Sequence, residues 1–289
     1  MLSIIISSYQ PEYFSALEKN IAETIGIPYE IIKIDNPGLM GICEAYNKGA
    51  DKSKYDYLLF LHEDVHFHTA NWGEKLIKHL KNPETGIIGV AGSDYVPVAP
   101  SGWYVNSMKN QFLNLIQNNK ERNKPSYQNF TTKPKHQVYA LDGVFLGVTK
   151  NTFEKLKFDE NLIGFHGYDL DFSLRSAKTK KNYFISDILL EHFSFGDMNK
   201  EWLDTNITVR KKLGSNFQNN TEAEIEKNMF LAFLDKYLFI NGFTIENILK
   251  TLKFLPIKKL PLRMTMEILK KIFYYIKFRH DYKQKYSQS

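Results

Sequence analysis

The sequence has a single cysteine, Cys43, in 289 residues, so no internal disulfide is available and a reducing compartment is its natural home. No apolar run approaches the roughly 20 residues that span a bilayer. The amino terminus, Met1-Leu2-Ser3-Ile4-Ile5-Ile6-Ser7-Ser8, carries no basic leader. A cytoplasmic protein is expected. There is no Gly-x-Gly-x-x-Gly and no Gly-Lys-Ser/Thr phosphate loop, which counts against a dinucleotide enzyme or a nucleoside triphosphatase. A basic working face is missing as well. The formal charge is +6, but residues 250–289 hold eleven Lys or Arg against two acids and carry +9, leaving −3 for the other 249 residues. Basicity is a property of the tail, which argues against a nucleic-acid partner.

What is present is an ordinary globular composition, 43% hydrophobic and 24% charged, long enough for one large domain with an appendage. The most informative stretch is Tyr57-Leu58-Leu59-Phe60-Leu61-His62-Glu63-Asp64-Val65. An unbroken apolar run suits a strand covered on both faces, and the carboxyl ends of such strands are where open α/β sheets bind ligands. Along a strand His62 and Asp64 share one side and Glu63 takes the other. Taken alone, the stretch also fits a strand running into a solvated acidic turn.

Residues 2–7 and 29–36 read as strands around a periodic stretch at 13–25, a βαβ unit whose strands run parallel. Their ends carry Ser7-Ser8-Tyr9 and Asp35-Asn36, side chains suited to a base and a ribose but common at any strand end. A second helix fits 41–52, and 86–92 reads as a glycine-punctuated strand. Residues 106–117 suggest a helix. The polar stretch 118–137 suggests a mobile flap beside an acceptor, or an insertion without a role. Trp103 or Tyr104 could stack on a sugar. Residues 138–148 read as a strand broken by small residues, including Asp142-Gly143, where a sugar ring could approach. Gly167-Tyr168-Asp169-Leu170-Asp171-Phe172-Ser173-Leu174-Arg175 opens a helix with acids in its first turn; Asp169 or Asp171 could simply cap it. Residues 185–190 read as a further strand, followed by His192.

In this order, Ser7-Ser8-Tyr9, residues 30–36, residues 41–49 and residues 58–65 resemble successive blocks of the family 2-like glycosyltransferases of the GT-A fold. The resemblance implies an α/β, Rossmann-like, mixed and mostly parallel sheet flanked by helices. In that family the fourth block ends in Asp-x-Asp. Here it is His62-Glu63-Asp64, similar to a subgroup with His-x-Asp. The block at 167–175 resembles the Gly-Glu-Asp-x-Asp-Phe-x-x-Arg signature, with Tyr168 in the place of Glu.

The resemblance implies Asp169 as catalytic base and Asp64 with His192 as ligands of a divalent metal, with His62 touching either metal or ribose. A site with imidazole ligands would suit Mn2+ better than Mg2+. Ser7, Ser8, Tyr9, Asp35, Asn47 and His62 would hold a nucleotide-diphosphate sugar, with a UDP-sugar favoured. Trp103, Asp142, Gly143 and Asp171 are expected to meet the acceptor, although Asp171 could equally stabilise its helix.

The expected organisation is a transferase domain at 1–220, comprising a nucleotide half at 1–92, the flap at 93–137 and a catalytic half at 138–200. A basic helical extension follows at 221–289. The activity implied is sugar transfer, inverting, onto a glycan or lipid-linked hydroxyl in surface-polysaccharide synthesis. A retaining transferase and a non-catalytic sugar-binding module are the alternatives, together with a nucleotidyltransferase, which would require a glycine- and arginine-rich phosphate loop near the amino terminus that the sequence lacks. In the last helix Met266, Leu269, Phe273 and Ile276 make one side, with Arg263, Lys270, Lys271 and Lys277 on the other. Such a helix could lie on an anionic membrane, cover the sheet, or pair two subunits.

Overall fold

The computed structural model describes residues 1–118, 125–129, 133–194 and 196–279. In chain order it contains β1 (Leu2–Ser8), α1 (Pro11–Thr24), β2 (Tyr29–Asp35), α2 (Ile42–Asp51), β3 (Tyr57–Leu61) and β4 (Val65–Phe67). Then come α3 (Trp72–Leu80), β5 (Thr85–Gly89), β6 (Ala91–Ser93), β7 (Gln111–Gln117), β8 (Ser126–Asn129), β9 (Lys135–Val138) and β10 (Ala140–Leu141). They are followed by β11 (Phe145–Thr149), α4 (Lys150–Leu156), α5 (Tyr168–Ala177), β12 (Lys181–Ile185) and β13 (Leu190–His192). The helices α6 (Lys200–Leu213), α7 (Ala223–Asn241), α8 (Ile245–Thr251) and α9 (Leu262–Lys277) complete the described chain.

The βαβ expectation at the amino end holds: β1 pairs in parallel with both β2 and β3. These strands belong to a seven-stranded mixed sheet in the order β2-β1-β3-β11-β5-β12-β9. Its apolar run at β3 is continuous because both faces are covered. Leu58 and Phe60 pack with α2 and α5, whereas Leu59 and Leu61 pack with α1 and α3. Cys43 of α2 lies in the first of these layers, where burial pushes its thiol up to about 12, so it is a packing residue.

A second, six-stranded sheet was not anticipated. It runs β10-β6-β7-β13-β4, with β8 beside β7. The helix expected over 106–117 is instead a single 3-10 turn, Met108–Asn110, leading into β7. The misreading has a physical cause. Phe112 enters one hydrophobic layer and Leu113 and Leu115 the other, so both faces are buried and apolar residues do not alternate with polar ones along the strand. The buried Asn114 side chain donates to the carbonyls of Ser186 and Ile188, a tertiary contact that local sequence does not reveal. Within the expected flap at 93–137, residues 111–117, 126–129 and 135–137 are strand, and residues 119–124 and 130–132 lie outside the described residues.

The carboxyl-terminal helices form their own core from Phe230, Leu234, Leu238, Ile268, Ile272 and Tyr275, joined by Leu203 of α6. On α9 the side that carries Met266, Leu269 and Phe273 is exposed, and the side turned to this core is Ile268, Ile272 and Tyr275. Asp235 of α7 fixes that choice, accepting from Tyr275 Oη at 2.7 Å and Lys271 Nζ at 2.6 Å. Residues 280–289 of the basic tail lie outside the described residues. No described helix is long and apolar enough to cross a membrane.

Candidate active site

Strand β3 ends at Leu61, and the His62 N–H donates to the Val144 carbonyl at 3.2 Å. His62, Glu63 and Asp64 thus occupy the bend between β3 and β4 rather than a continuing strand. Antiparallel pairing of β4 with β13 sets His192 opposite Val65, and Phe193 N–H donates to the Asp64 carbonyl at 3.0 Å. That pairing brings His192 to the bend from far along the chain.

His62 Nδ1 lies 3.9 Å and His192 Nε2 3.6 Å from Asp64 Oδ1. Ligand atoms of all three residues fall within 4.8 Å of one another, the one such group among the described residues. Burial works to raise the Asp64 carboxyl, but the two imidazoles and Ser194 outweigh it and hold the group well below the usual carboxylate range. Burial also lowers the His62 imidazole. It acts the same way on His192, where the Asp64 carboxylate overcomes it and raises the imidazole. Two nitrogens and an ionised oxygen converging at this spacing fit a divalent cation of intermediate softness.

Glu63 has a task the sequence did not suggest. Its carboxylate is buried and accepts the backbone N–H groups of Tyr9 and Gln10 at 3.0 and 3.1 Å, fixing the turn after β1.

The other half of the site stands on α5 and the turn before β11. Asp169 Oδ2 accepts from Gly143 N–H at 3.1 Å and Oδ1 from Leu170 N–H at 2.8 Å. Burial, then the nearby Asp142 carboxylate, raise its carboxyl to about 7 despite these bonds. Tyr168, next to it, places its hydroxyl 2.7 Å from His62 Nε2. Its ring is held edge-on by Tyr46 at 5.8 Å. Gly143 is required beneath it, since a Cβ there would come 1.9 Å from the Tyr168 hydroxyl.

Two cavities meet at this point. The larger, about 510 Å³, is walled by Trp103, Asp142, Gly143, Asp169, Trp202 and Asn206 among others. The smaller, about 180 Å³, is walled by Ser7, Tyr9, Tyr46, Glu63 and Asp64. His62, Tyr168 and Ser194 face both. Trp202 and Asn206, on α6, were absent from the sequence reading because nothing local marks them. The side-chain oxygen of Asn206 is buried without a hydrogen-bond partner.

Four expected residues are placed elsewhere. Asn47 is buried and bonds Phe158 through both its amide atoms and Glu160 through its nitrogen, tying α2 to the chain beyond α4. Ser8 is buried, and its carbonyl accepts from Asn36 N–H. Asp35 sits at the exposed end of β2, paired with Lys33 at 2.7 Å and outside both cavities. Asp171 is fully buried, 2.6 Å from Arg175 Nε and 2.8 Å from Lys212 Nζ, so it locks α5 to α6 and does not reach an acceptor. Replacing Asp171 by Asn should cost about 2 kcal/mol, because a buried charge partner of two cations is lost. Urea unfolding measures that loss. An altered acceptor KM with unchanged stability would restore the binding role.

A profile of the glycosyltransferase-like family matches residues 3–229, and the chain belongs to that family. No curated protein sequence matches it. Among solved structures it is similar to Staphylococcus aureus TarS 1–349, with 12% identity, 98% of this chain and 91% of that chain covered, and a TM-score of 0.57. The complex of that protein with UDP-GlcNAc matches at 11% identity, 91% and 82% coverage, and a TM-score of 0.53. GalNAc-T7 with UDP, GalNAc and Mn2+ matches at 12% identity over 73% of this chain and 47% of that chain, so this chain spans about half its length, with a TM-score of 0.51. At this identity the likeness establishes the fold, a mixed α/β GT-A architecture, as the sequence implied; the expected predominance of parallel pairing does not hold, since β11 pairs antiparallel with both β3 and β5 and β9 antiparallel with β12.

Proposed function

We propose that the protein transfers a hexose or N-acetylhexosamine from a nucleotide-diphosphate donor, preferably a UDP-sugar, to a hydroxyl of a glycan or lipid-linked acceptor in cytoplasmic steps of surface-polysaccharide synthesis. The observation that carries this reading is the meeting of two cavities at His62 and Tyr168, with Asp64 on one side and Asp169 on the other. The smaller cavity takes the nucleotide against Ser7 and Tyr9, and the larger takes the acceptor between Trp103 and Asp169. Solved relatives in complex with UDP-GlcNAc, and with UDP and Mn2+, support the donor class.

His62, Asp64 and His192 would hold a divalent cation, with Mn2+ favoured by the imidazoles. When bound, the cation supplies positive charge against which a leaving diphosphate is stabilised. Asp169 takes the proton from the acceptor hydroxyl as that oxygen attacks the anomeric carbon opposite the leaving group, inverting the configuration. Gly143 and Leu170 N–H groups keep its oxygens aimed. A product of retained configuration would contradict that geometry.

A base with its carboxyl raised to about 7 is protonated and idle at lower pH. The rate constant kcat/KM should therefore climb as pH rises through about 7. Asp142→Asn should move this midpoint down, because a neighbouring negative charge is gone. A profile that falls over this range, or a midpoint unmoved in the variant, would exclude Asp169 as the titrating base.

Donor class is tested by thermal shift with nucleoside diphosphates with and without Mn2+, since a ligand of the native state raises Tm. UDP with Mn2+ should give the largest shift. A flat response to every nucleotide would remove the donor assignment.

A further inference from the structure

The described part of 250–279 holds nine Lys or Arg against one acid, Glu267. On α9 the core-facing stripe is Ile268, Ile272 and Tyr275, yet the opposite side is apolar as well. Leu262, Met266, Leu269 and Phe273 recur at helical spacing and are exposed by 78%, 47%, 42% and 66%. Arg263, Lys270 and Lys277 lie along one flank of this second stripe. Lys253, Lys258, Lys270 and Lys277 make no ion pair among the described residues. Most other cations of the segment are spoken for: Lys250 by Glu246, Lys259 by Glu226, Lys271 by Asp235 and Arg263 by Glu267. The preceding elements repeat the pattern, with Ile245 and Leu249 of α8 and Ile257 also exposed.

From this combination we infer that the outer stripe of α9 docks on an anionic lipid bilayer, with Leu262, Met266, Leu269 and Phe273 entering the headgroup boundary and the lysines meeting the lipid phosphates. A second copy of the chain is a poorer occupant. A two-fold contact through this helix would bring two strongly basic segments together, whereas an anionic membrane complements them. The docking surface is also coupled to the cleft. Trp202 and Leu203 of α6 pack into the core that holds Ile268 and Ile272, and Trp202 lines the larger cavity. The acceptor end of the cleft is thereby tied to the membrane-facing helices, which suits an acceptor carried on a lipid. That consequence rests on the transferase reading; the docking does not.

The test is co-sedimentation of the full chain with vesicles of phosphatidylcholine alone or of phosphatidylcholine mixed equally with phosphatidylglycerol. Binding to the anionic vesicles should be at least ~10-fold stronger and should weaken with salt. Leu269→Glu with Phe273→Glu should abolish it without lowering Tm, because both side chains are exposed. Lys270→Ala with Lys277→Ala keeps the apolar stripe, covers the case in which the first variant does not fold, and should remove most of the preference for anionic lipid. Equal binding to both vesicle types, unchanged binding by the variants, or a solution dimer that the glutamates split would overturn the inference. Donor hydrolysis measured without vesicles reads the transferase separately, so the two can fail independently.

Discussion

Asp169→Asn should lower sugar transfer by roughly 10²–10⁴-fold, the usual worth of a positioned base, while donor binding stays near wild type. The substitution is nearly isosteric, and the smaller cavity does not include Asp169. A second, opposite effect separates this role from a structural one. With its carboxyl raised to about 7 from an ordinary 3.8, Asp169 favours the fold most when protonated. That contribution is complete below about pH 4 and is lost as pH rises through about 7. Above that pH the ionised group is a burden on the fold, so the neutral amide should stabilise the protein at pH 8, on the order of 2 kcal/mol. A variant that is both dead and more stable identifies a site held for chemistry. One that is dead and less stable would point to a packing role.

Asp64→Asn should have an effect of similar size on the other side of the cleft. The carboxylate is the one anionic member of the His62, Asp64 and His192 group. Loss of groups that merely support ligands costs ~10–100-fold in metal affinity, so loss of this oxygen should cost at least that much. Titration of UDP by calorimetry should show the Mn2+-dependent part of affinity gone and the part seen in EDTA unchanged. If Mn2+ strengthens UDP binding equally in the variant, Asp64 is not a ligand.

The order of elements at the amino end was legible because β1 and β3 are strongly apolar, β2 alternates isoleucines with polar residues in part, and helices of ordinary length space them. The second sheet was not. Its strands β4, β6 and β13 have three residues each, too few to show a period, and their pairing depends on partners distant in sequence. Motifs mark Asp64, Asp169 and His192 in the sequence, and the structure places all three in the walls of the adjoining cavities. Asn47 and Asp171 sit in equally suggestive motifs but are consumed by buried contacts, which only packing reveals. Tyr168 illustrates the converse. It and His62 are the two positions at which the chain departs from the general pattern it resembles, and each looked like an isolated replacement. In the folded protein they hydrogen-bond to each other, so the departures form one unit.

The most direct measurement is release of UDP from UDP-sugars by the purified protein with Mn2+, at donor concentrations shown by calorimetry to saturate binding. The account predicts slow hydrolysis by the wild type, accelerated by an acceptor glycan, and none by Asp169→Asn under equal saturation. Saturated donor that the wild type leaves intact with and without acceptors would contradict it and leave a nucleotide-sugar binding module.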